Sequence, residues 1–374
     1  MERTPTHADI SAPPMQSIAD ILPIEYPDYR DRLKHHKYFD KYAAQADFIH
    51  QNGYVILENA VNADLCDKLA QFYQSVEKLE CQDLPFVEYH DAEGNNNYGV
   101  RYSESAKTAS SGKFKLVDIF QSNAISREVC FSDSVAEFLS LIFNSDVLAF
   151  QQLGFIHGTE QPIHQDTAYV RVSKPRKLAA SWIALEDIAP STGELEFLPC
   201  SHKFNIFRFD SAGDKECRTI EQNPSNSIWF DYKNQAEHQE FLAKLEKLKE
   251  IYGVERFRAK KGDALVWISF FAHGGSKIEN NSPSRTRRSL VTHYCPWPDA
   301  HPMYYHNVLH TAPQQFNESC YYSSKLYPIE PLPDCFDGRK YLEANPDVAL
   351  VPRFEIDPGL HYIKHGRGEG RSIE

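Results

Sequence analysis

The chain has 374 residues, a hydrophobic content of 41% and a formal net charge of −12, which is enough apolar material for one large core with additions. An acidic chain argues against a general nucleic-acid binder, because such proteins carry a basic face. The eight cysteines form no Cys-x-x-Cys pair, and no apolar run resembles a signal peptide or a membrane span. We therefore expect a cytoplasmic protein with reduced thiols.

The N-terminal part is predicted to be a mobile arm followed by helices. Residues 1–25 are rich in Pro, Ser and Ala and show little periodicity, which is typical of an arm. A helix is predicted over residues 42–51, a strand at 54–57 after an Asn-Gly turn, and a helix over 62–79 with Asn62 as its cap. These elements are expected to support the outer face of a larger β domain.

A long polar stretch follows at residues 82–113, with runs of Gly-Asn-Asn-Asn and Ser-Ser-Gly. It is predicted to be a loop, and long loops in compact domains are either functional or disordered. Both a lid over a substrate and a disordered segment therefore stay open. An amphipathic helix over 132–143 and a strand over 147–155, which carries Gln151, are predicted next.

The first candidate for chemistry is His164-Gln165-Asp166, which lies between two strand-like segments. Side chains alternate along an extended chain, so His164 and Asp166 would point the same way. A second histidine, His273, ends an apolar strand, and Arg287 follows it. Two histidines and one carboxylate on one face leave coordination positions open, as dioxygen-binding non-haem Fe(II) requires. A His-x-Asp motif alone is a weak signal, because it also occurs in solvated turns.

Further motifs accompany these residues in a fixed order. They are His164-x-Asp166, Trp182-x-Ala-Leu-x-Asp187, Gly193-x-Leu-x-x-x-Pro-x-Ser-His202, Gly262-Asp263, His273-Gly274 and Arg287-Arg288 before His293-Tyr294. The set resembles the phytanoyl-CoA dioxygenase family of Fe(II)- and 2-oxoglutarate-dependent oxygenases. The resemblance implies a mainly β fold with flanking helices and a double-stranded β-helix (jelly-roll, cupin-like) core. It also implies Fe(II), 2-oxoglutarate and O2 as cofactor and co-substrates.

The resemblance further assigns roles to individual residues. The implied iron ligands are His164, Asp166 and His273. Arg287 would bind the distal carboxylate of 2-oxoglutarate. Gln151 is then either a hydrogen-bond partner of 2-oxoglutarate or a glutamine of the barrel interior with no ligand. Trp182 either flanks the co-substrate or is a core aromatic residue.

Two departures from the family pattern bear on these roles. The usual Pro-Gly-Ser-His is Pro199-Cys200-Ser201-His202 here, so a turn glycine is lost. The segment after the distal histidine is longer than usual, which leaves Arg285, Arg287 and Arg288 as candidates for the carboxylate clamp. Counting back from His293 favours Arg287. Both His202 and His293 are predicted to be hydrogen-bonded structural histidines.

The chain is therefore predicted to comprise the arm 1–25, an oxygenase domain 26–298 with a helical insertion near 234–252, a connecting segment 299–333 and a small helical module 334–374. The module resembles those attached to bacterial glycan-related proteins through its Tyr-Leu-x-x-Asn-Pro-Asp-Val run. It is predicted to do no chemistry, and either to dock on the barrel or to recruit a partner.

The predicted reaction is hydroxylation of a C–H bond of a small molecule, with release of succinate and CO2. The C-terminal module favours a sugar or glycan precursor as the substrate, and no nucleic-acid partner is expected. Two alternatives are a non-catalytic jelly-roll scaffold and a metal-dependent cupin-type enzyme that does not use 2-oxoglutarate. The intact triad argues against the first alternative, and the arginine after the distal histidine argues against the second.

Overall fold

The computed structural model describes residues 21–78, 85–90, 96–101, 114–170, 172–204, 207, 209, 234–279, 286–300, 302, 313–321, 333, 335–350 and 358–373. The strands in these ranges are β1 Tyr54–Leu57, β2 Phe86–His90, β3 Asn96–Arg101, β4 Phe114–Val117, β5 Asp146–Phe155, β6 Ala179–Ala184, β7 Leu195–Phe197, β8 Glu255–Phe257, β9 Ala264–Ile268, β10 His273–Gly275, β11 Ser289–Trp297, β12 Gln314–Phe316 and β13 Ser319–Tyr321. The helices are α1 Tyr29–Leu33, α2 Phe39–Asn52, α3 Ala63–Glu77, α4 Ala124–Cys130, α5 Asp133–Phe143, α6 Gln235–Tyr252, α7 Gly338–Ala344, α8 Pro346–Ala349 and α9 Pro358–His361.

Two sheets form the core. The large sheet has the strand order β1-β9-β6-β11-β5-β4-β2-β3, and the small sheet has the order β10-β7-β8. An antiparallel bridge between His164 and His273 extends the small sheet beyond β10. From β5 to β11 the chain passes repeatedly between the sheets, with β5, β6, β9 and β11 in the large one. This alternation is a double-stranded β-helix, so the predicted fold class is confirmed.

The space between the sheets is filled by side chains from both of them. Trp182 of β6 and Trp267 of β9 belong to the same buried cluster as Phe197 of β7 and Phe257 of β8. Because strand residues alternate between faces, the intervening residues of β6 and β9 point away from this cluster. They pack instead under the helices, in a second cluster that includes residues of α3 and α5. We call the space between the sheets the barrel interior.

The predicted helices are present close to their expected bounds. Asn62 caps α3, since its Oδ1 accepts a hydrogen bond from the backbone N–H of Asp64 at 2.8 Å. Asn234 caps α6 in the same way, with Glu237 N–H donating at 3.2 Å. An N-cap side chain satisfies a backbone donor that has no partner within the helix, which explains why each helix begins there.

Helix α6 packs behind the segment that carries His164 and Asp166. Its buried residues Phe241 and Leu245 share a cluster with Ile163 and Ala168. Ile163 precedes the first ligand candidate and Ala168 lies in the short 3-10 turn Asp166–Ala168. The helix therefore supports the candidate site from outside the barrel interior.

Three segments for which no helix or strand was predicted contribute to the fold. Residues 21–25, placed in the mobile arm, are packed in the core, with Leu22 and Ile24 fully buried and a 3-10 helix over Pro23–Glu25. The arm prediction for residues 1–20 lies outside the described residues. The apolar residues here are too few to show a helical or strand periodicity, and for this reason their burial could not be predicted.

The stretch 82–113 contains strands β2 and β3, which extend the large sheet past β4, so the prediction of a loop throughout is wrong. Phe86, Val87 and Tyr89 of β2 are buried, but this short apolar run lies among polar residues. Apart from Pro85, the remaining residues of the stretch, on which the lid prediction falls, lie outside the described part of the chain. In the connecting segment 299–333, the hairpin β12–β13 adds to the sheet because β13 pairs in parallel with β5.

The C-terminal segment has a small apolar cluster of its own. Tyr341, Val348 and Tyr362 are buried against one another, with Phe336 and Leu342 packed on them. The hydroxyl of Tyr341 is hydrogen-bonded to Nδ1 of His361 at 2.8 Å. Within the described residues, no helix combines the length and apolarity that a membrane crossing requires.

Candidate metal centre

His164, Asp166 and His273 come together between the two sheets. Oδ1 of Asp166 lies 3.7 Å from Nε2 of His164 and 3.6 Å from Nε2 of His273. The ligand atoms of the three residues lie within 4.8 Å of one another, close enough to hold a metal ion. The three residues are buried, with exposures of 6%, 4% and 6%. The fold thus brings the two parts of the predicted triad to one point.

The backbone fixes the two histidines opposite each other. His164 N–H donates to the carbonyl of His273 at 2.8 Å, and His273 N–H donates to the carbonyl of His164 at 2.9 Å. Gln165 has extended backbone angles, φ −110° and ψ 130°, so His164 and Asp166 project to the same side. Strand β10 can approach the segment before His164 closely because residue 274 is a glycine. A Cβ at this position would lie 2.7 Å from the carbonyl oxygen of Gln161.

Each histidine is held in the tautomer that leaves Nε2 with a lone pair. Nδ1 of His164 lies 2.8 Å from the carbonyl of Pro162, and Nδ1 of His273 lies 3.1 Å from the carbonyl of Phe271. A carbonyl only accepts, so each Nδ1 is the donor of its neutral ring. Burial and the neighbouring His273 lower the pKa of His164 to about 3, and its imidazole is therefore neutral at physiological pH. Neutral imidazoles are the form that binds metals.

The two oxygens of Asp166 have different neighbours. Oδ1 faces the histidines, whereas Oδ2 accepts a hydrogen bond from Nε1 of Trp267 at 2.7 Å. Nε2 of His293 lies 3.4 Å from the same Oδ2. Burial by itself raises the pKa of the Asp166 carboxyl, but His273, His293 and His164 outweigh burial and hold that pKa below its usual range. Asp166 is thus an ionised carboxylate with one oxygen directed at the histidine lone pairs.

Arg287 is a buried cation in the same barrel interior. Its guanidinium carbon lies 5.4 Å from the ring centre of Phe155 and 5.6 Å from that of Trp182, and NH1 donates to the carbonyl of Gly193 at 2.8 Å. Its Nε has no hydrogen-bond partner, and among the described residues no carboxylate forms a salt bridge with it. Burial lowers the pKa of Arg287 to about 10, although the charge of the Glu194 carboxylate acts in the opposite direction, so Arg287 remains charged at pH 7. A buried guanidinium without a directly bonded carboxylate favours binding of an anion.

The neighbouring arginines are placed differently. NH1 of Arg288 donates to Oε2 of Glu186 at 2.9 Å, and the backbone N–H of Arg288 donates to Oε1 of the same carboxylate at 2.7 Å. Arg288 is therefore already paired. Arg285 lies outside the described residues. Of the two candidates that the structure describes, Arg287 is the one available to an anionic ligand.

Gln151 and Trp182 both point into the barrel interior. Gln151 pairs with His293 across β5 and β11, and Trp182 pairs with Val291 across β6 and β11. Paired residues in an antiparallel sheet share a face, so both lie on the face that carries His293. Oε1 of Gln151 and Nε1 of Trp182 are buried without a hydrogen-bond partner in the described part of the chain. Trp182 lies close to the guanidinium of Arg287. Gln151 lies on the same face of the sheet, and no hydrogen bond between Gln151 and Arg287 is seen among the described residues.

Sequence reasoning did not identify Trp267 or Tyr169 as site residues. The ring of Tyr169 meets that of His164 edge-on, with centroids 5.6 Å apart, and its hydroxyl is hydrogen-bonded to Nε2 of His238 in α6 at 2.7 Å. The alternation of β9 could have indicated that Trp267 faces the interior, but its contact with Asp166 requires the sheet register. Of the two predicted structural histidines, His202 has its Nε2 3.3 Å from the carbonyl oxygen of His50. His293 instead has its Nε2 3.4 Å from Oδ2 of Asp166.

The donor set fits a divalent metal with open coordination positions. Two neutral imidazoles and one carboxylate on a single face are typical of non-haem Fe(II) sites. Nδ1 of each ligand histidine is occupied by a backbone carbonyl, and the second carboxylate oxygen is occupied by Trp267. Such outer hydrogen bonds orient metal ligands in metalloproteins generally.

The sequence and the fold were compared with those of known proteins. The family model described as phytanoyl-CoA dioxygenase (PhyH) matches residues 49–289. No curated protein is significantly similar in sequence to this chain.

Several solved structures resemble the fold at low sequence identity. The epimerase SnoN in complex with Fe3+, alpha ketoglutarate and nogalamycin RO has a TM-score of 0.47 and 13% identity, covering 76% of this chain and 96% of its own. EctD from S. alaskensis with 2-oxoglutarate and 5-hydroxyectoine has a TM-score of 0.45 and 16% identity, covering 68% and 76%. The carbocyclase SnoK from nogalamycin biosynthesis has a TM-score of 0.43 and 12% identity, covering 67% and 82%.

Proposed function

Because the chain belongs to the phytanoyl-CoA dioxygenase family, we propose that it is an Fe(II)- and 2-oxoglutarate-dependent oxygenase. In this proposal the metal is held by Nε2 of His164, Oδ1 of Asp166 and Nε2 of His273. Arg287 binds the far carboxylate of the keto acid through its planar guanidinium, which can pair bidentately with a carboxylate. When bound, Fe(II) supplies the redox chemistry that no side chain can provide.

The observation that carries the proposal is that the triad and a buried guanidinium, which forms no salt bridge among the described residues, share one interior. Trp267, which donates to Asp166, and Trp182, which stacks near Arg287, belong to the same buried cluster. A metal alone would satisfy the triad but would leave Arg287 without a salt-bridge partner in the described part of the chain. A dicarboxylate that bound the metal at one end would satisfy both requirements, whereas a cupin-type enzyme without a keto acid would leave Arg287 unexplained.

The roles of the protein groups follow from their geometry. Nε2 of His164 and Nε2 of His273, whose Nδ1 atoms face backbone carbonyls, and the ionised Asp166 carboxylate would hold the metal with only one charged ligand. Phe155 and Trp182 lie beside the Arg287 guanidinium and would keep water from a salt bridge between Arg287 and the keto acid, which would strengthen that salt bridge. The interior thus holds and orients the co-substrate in a dry environment.

The finer part of the proposal is hydroxylation of a small molecule, with succinate and CO2 as the other products. It is supported by Asp166, because related halogenases leave the carboxylate position vacant for halide. A sugar-linked substrate is supported only by the resemblance of the C-terminal module to modules of glycan-related proteins.

The experiment measures metal content and succinate formation in the purified protein. We expect about one Fe(II) per chain and 2-oxoglutarate-dependent succinate formation, with both lost in His273→Ala. The control is His36→Ala, which removes a half-buried histidine outside the site and should leave both unchanged. Full succinate formation by His273→Ala would contradict the site, and iron binding without any succinate would favour a non-catalytic protein.

A further inference from the structure

Gln161 contacts the ligand atom of His164 directly. Its Nε2 lies 3.2 Å from Nε2 of His164. Because Nδ1 of His164 donates to Pro162, Nε2 of the neutral ring carries the lone pair and must be the acceptor. The amide N–H of Gln161 therefore donates to the same lone pair that would bind the metal. One lone pair cannot serve both partners at once.

The position of Gln161 is fixed by its backbone. The carbonyl of Gln161 accepts a hydrogen bond from Gly275 N–H at 2.8 Å. A Cβ on Gly275 would lie 3.1 Å from the backbone nitrogen of Glu160 and 3.2 Å from that of Gln161, so two successive glycines after His273 allow this close approach. Oε1 of Glu160 accepts a further hydrogen bond from Ile278 N–H at 2.9 Å. Gln161 thus lies beside the triad, on a segment whose backbone and side-chain hydrogen bonds hold it against the strand that carries His273.

The side chain of Gln161 is also free to reach a second acceptor. It is half-buried, whereas His164 is 6% exposed, so it lies at the edge of the site and not inside the packed cluster. A glutamine amide has two N–H donors and a flexible chain. Once a metal takes the lone pair of His164, the N–H of Gln161 loses its acceptor, and an unpaired donor at a partly buried site is unfavourable.

We propose that Gln161 is an active-site donor that caps His164 in the metal-free protein and donates to the keto acid in the loaded protein. This rests on the proposed function for the identity of the second acceptor, because the oxygens of 2-oxoglutarate are the acceptors expected beside the metal. Gln161 consequently weakens metal binding in the absence of the keto acid and strengthens keto-acid binding afterwards.

The test uses Gln161→Met, which keeps the length of the side chain but has no N–H donor, with Gln161→Ala as a second variant. Mn(II) binding to the metal-free full-length protein is measured by calorimetry without keto acid. We expect affinity to rise about two- to tenfold in both variants, the fold-change that corresponds to one neutral hydrogen bond. 2-Oxoglutarate binding to the Mn(II)-loaded protein should weaken by a similar factor. The control is Gln315→Met, since among the described residues the exposed side chain of Gln315 donates to no group other than the carbonyl of Asn317.

Each outcome decides one part of the proposal. Mn(II) affinity equal to that of the parent protein in both variants would overturn the capping role. Tighter Mn(II) binding with unchanged keto-acid affinity would overturn the donation to the keto acid. A parent protein that binds Mn(II) through His164 but shows no affinity for 2-oxoglutarate would refute the proposed function, and the effect of Gln161 on Mn(II) affinity would still be measurable.

Discussion

The hydrogen bond from Trp267 to Asp166 sets which carboxylate oxygen faces the metal, and Trp267→Phe removes it. The N–O distance is 2.7 Å and both residues are buried. A hydrogen bond to a charged group contributes about 1.5–3 kcal/mol, and loss of an outer hydrogen-bond partner typically lowers metal affinity roughly 10- to 100-fold. Nε2 of His293 lies 3.4 Å from the same oxygen, so His293 should still orient the Asp166 carboxylate in part. We therefore expect a loss of about tenfold or more in Mn(II) or Fe(II) affinity.

The matched control is Trp182→Phe. Trp182 and Trp267 are each 1% exposed and lie in the same cluster, so the two substitutions remove similar packing. Nε1 of Trp182, however, has no hydrogen-bond partner among the described residues, and its loss should not affect the ligands. Metal affinity is measured without keto acid, so that the contact of Trp182 with Arg287 does not enter. Equal metal affinities in the two variants would refute the argument that Trp267 orients Asp166.

Three further predictions concern the co-substrate, the pH and the tail. Arg287→Lys keeps the charge but loses the planar fork, so 2-oxoglutarate affinity should fall roughly ten- to hundredfold. Arg288→Lys, whose parent is paired with Glu186, should not change it, and the reverse result would show that the clamp is misassigned. Burial, and then Lys203, lowers the pKa of His202 from 6.5 to about 4, so the folded protein stays uncharged there while the unfolded chain takes up a proton. The free energy of unfolding should thus fall between pH 7 and pH 5, by up to about 2 kcal/mol, and a urea titration of His202→Gln with an unchanged pH dependence would contradict this. Removal of residues 334–374 should leave metal and keto-acid binding intact and change the thermal midpoint little, because their buried residues pack on one another; loss of metal binding in a folded 1–333 protein would contradict it.

The parts of the fold with strong local signals could be predicted from the sequence. Helix α5 and helix α6 have apolar residues at helical spacing, and α6 begins at a capping asparagine, so their bounds were close to those observed. The His164-x-Asp166 spacing places two side chains on one side of an extended segment without any knowledge of the tertiary structure. These features depend only on residues near one another in the chain.

The remaining features depend on contacts between distant residues. The buried residues of β2 form too short a run among polar neighbours to indicate a strand, and the strand is stabilised by its pairing with β4. The choice between Arg287 and Arg288 follows from the position of Glu186 across the sheet. The contacts of Asp166 with Trp267 and His293 depend on the register of β9 and β11, which neither strand specifies alone.

The site depends on the whole barrel because the two sheets contribute different parts of it. His164 and His273 belong to the small sheet and its bridge, whereas Trp267 and His293, which contact the second oxygen of Asp166, belong to the large sheet. The distance between the sheets is set by the large aromatic side chains between them. A substitution that reduces the volume of this packing would change the distance of Trp267 and His293 from Asp166, while the two histidine ligands stay paired by their backbone. Changes in the packing of the interior should therefore alter the position of the Asp166 carboxylate more than the positions of His164 and His273, because the carboxylate is the ligand that both sheets position. Metal affinity should fall accordingly.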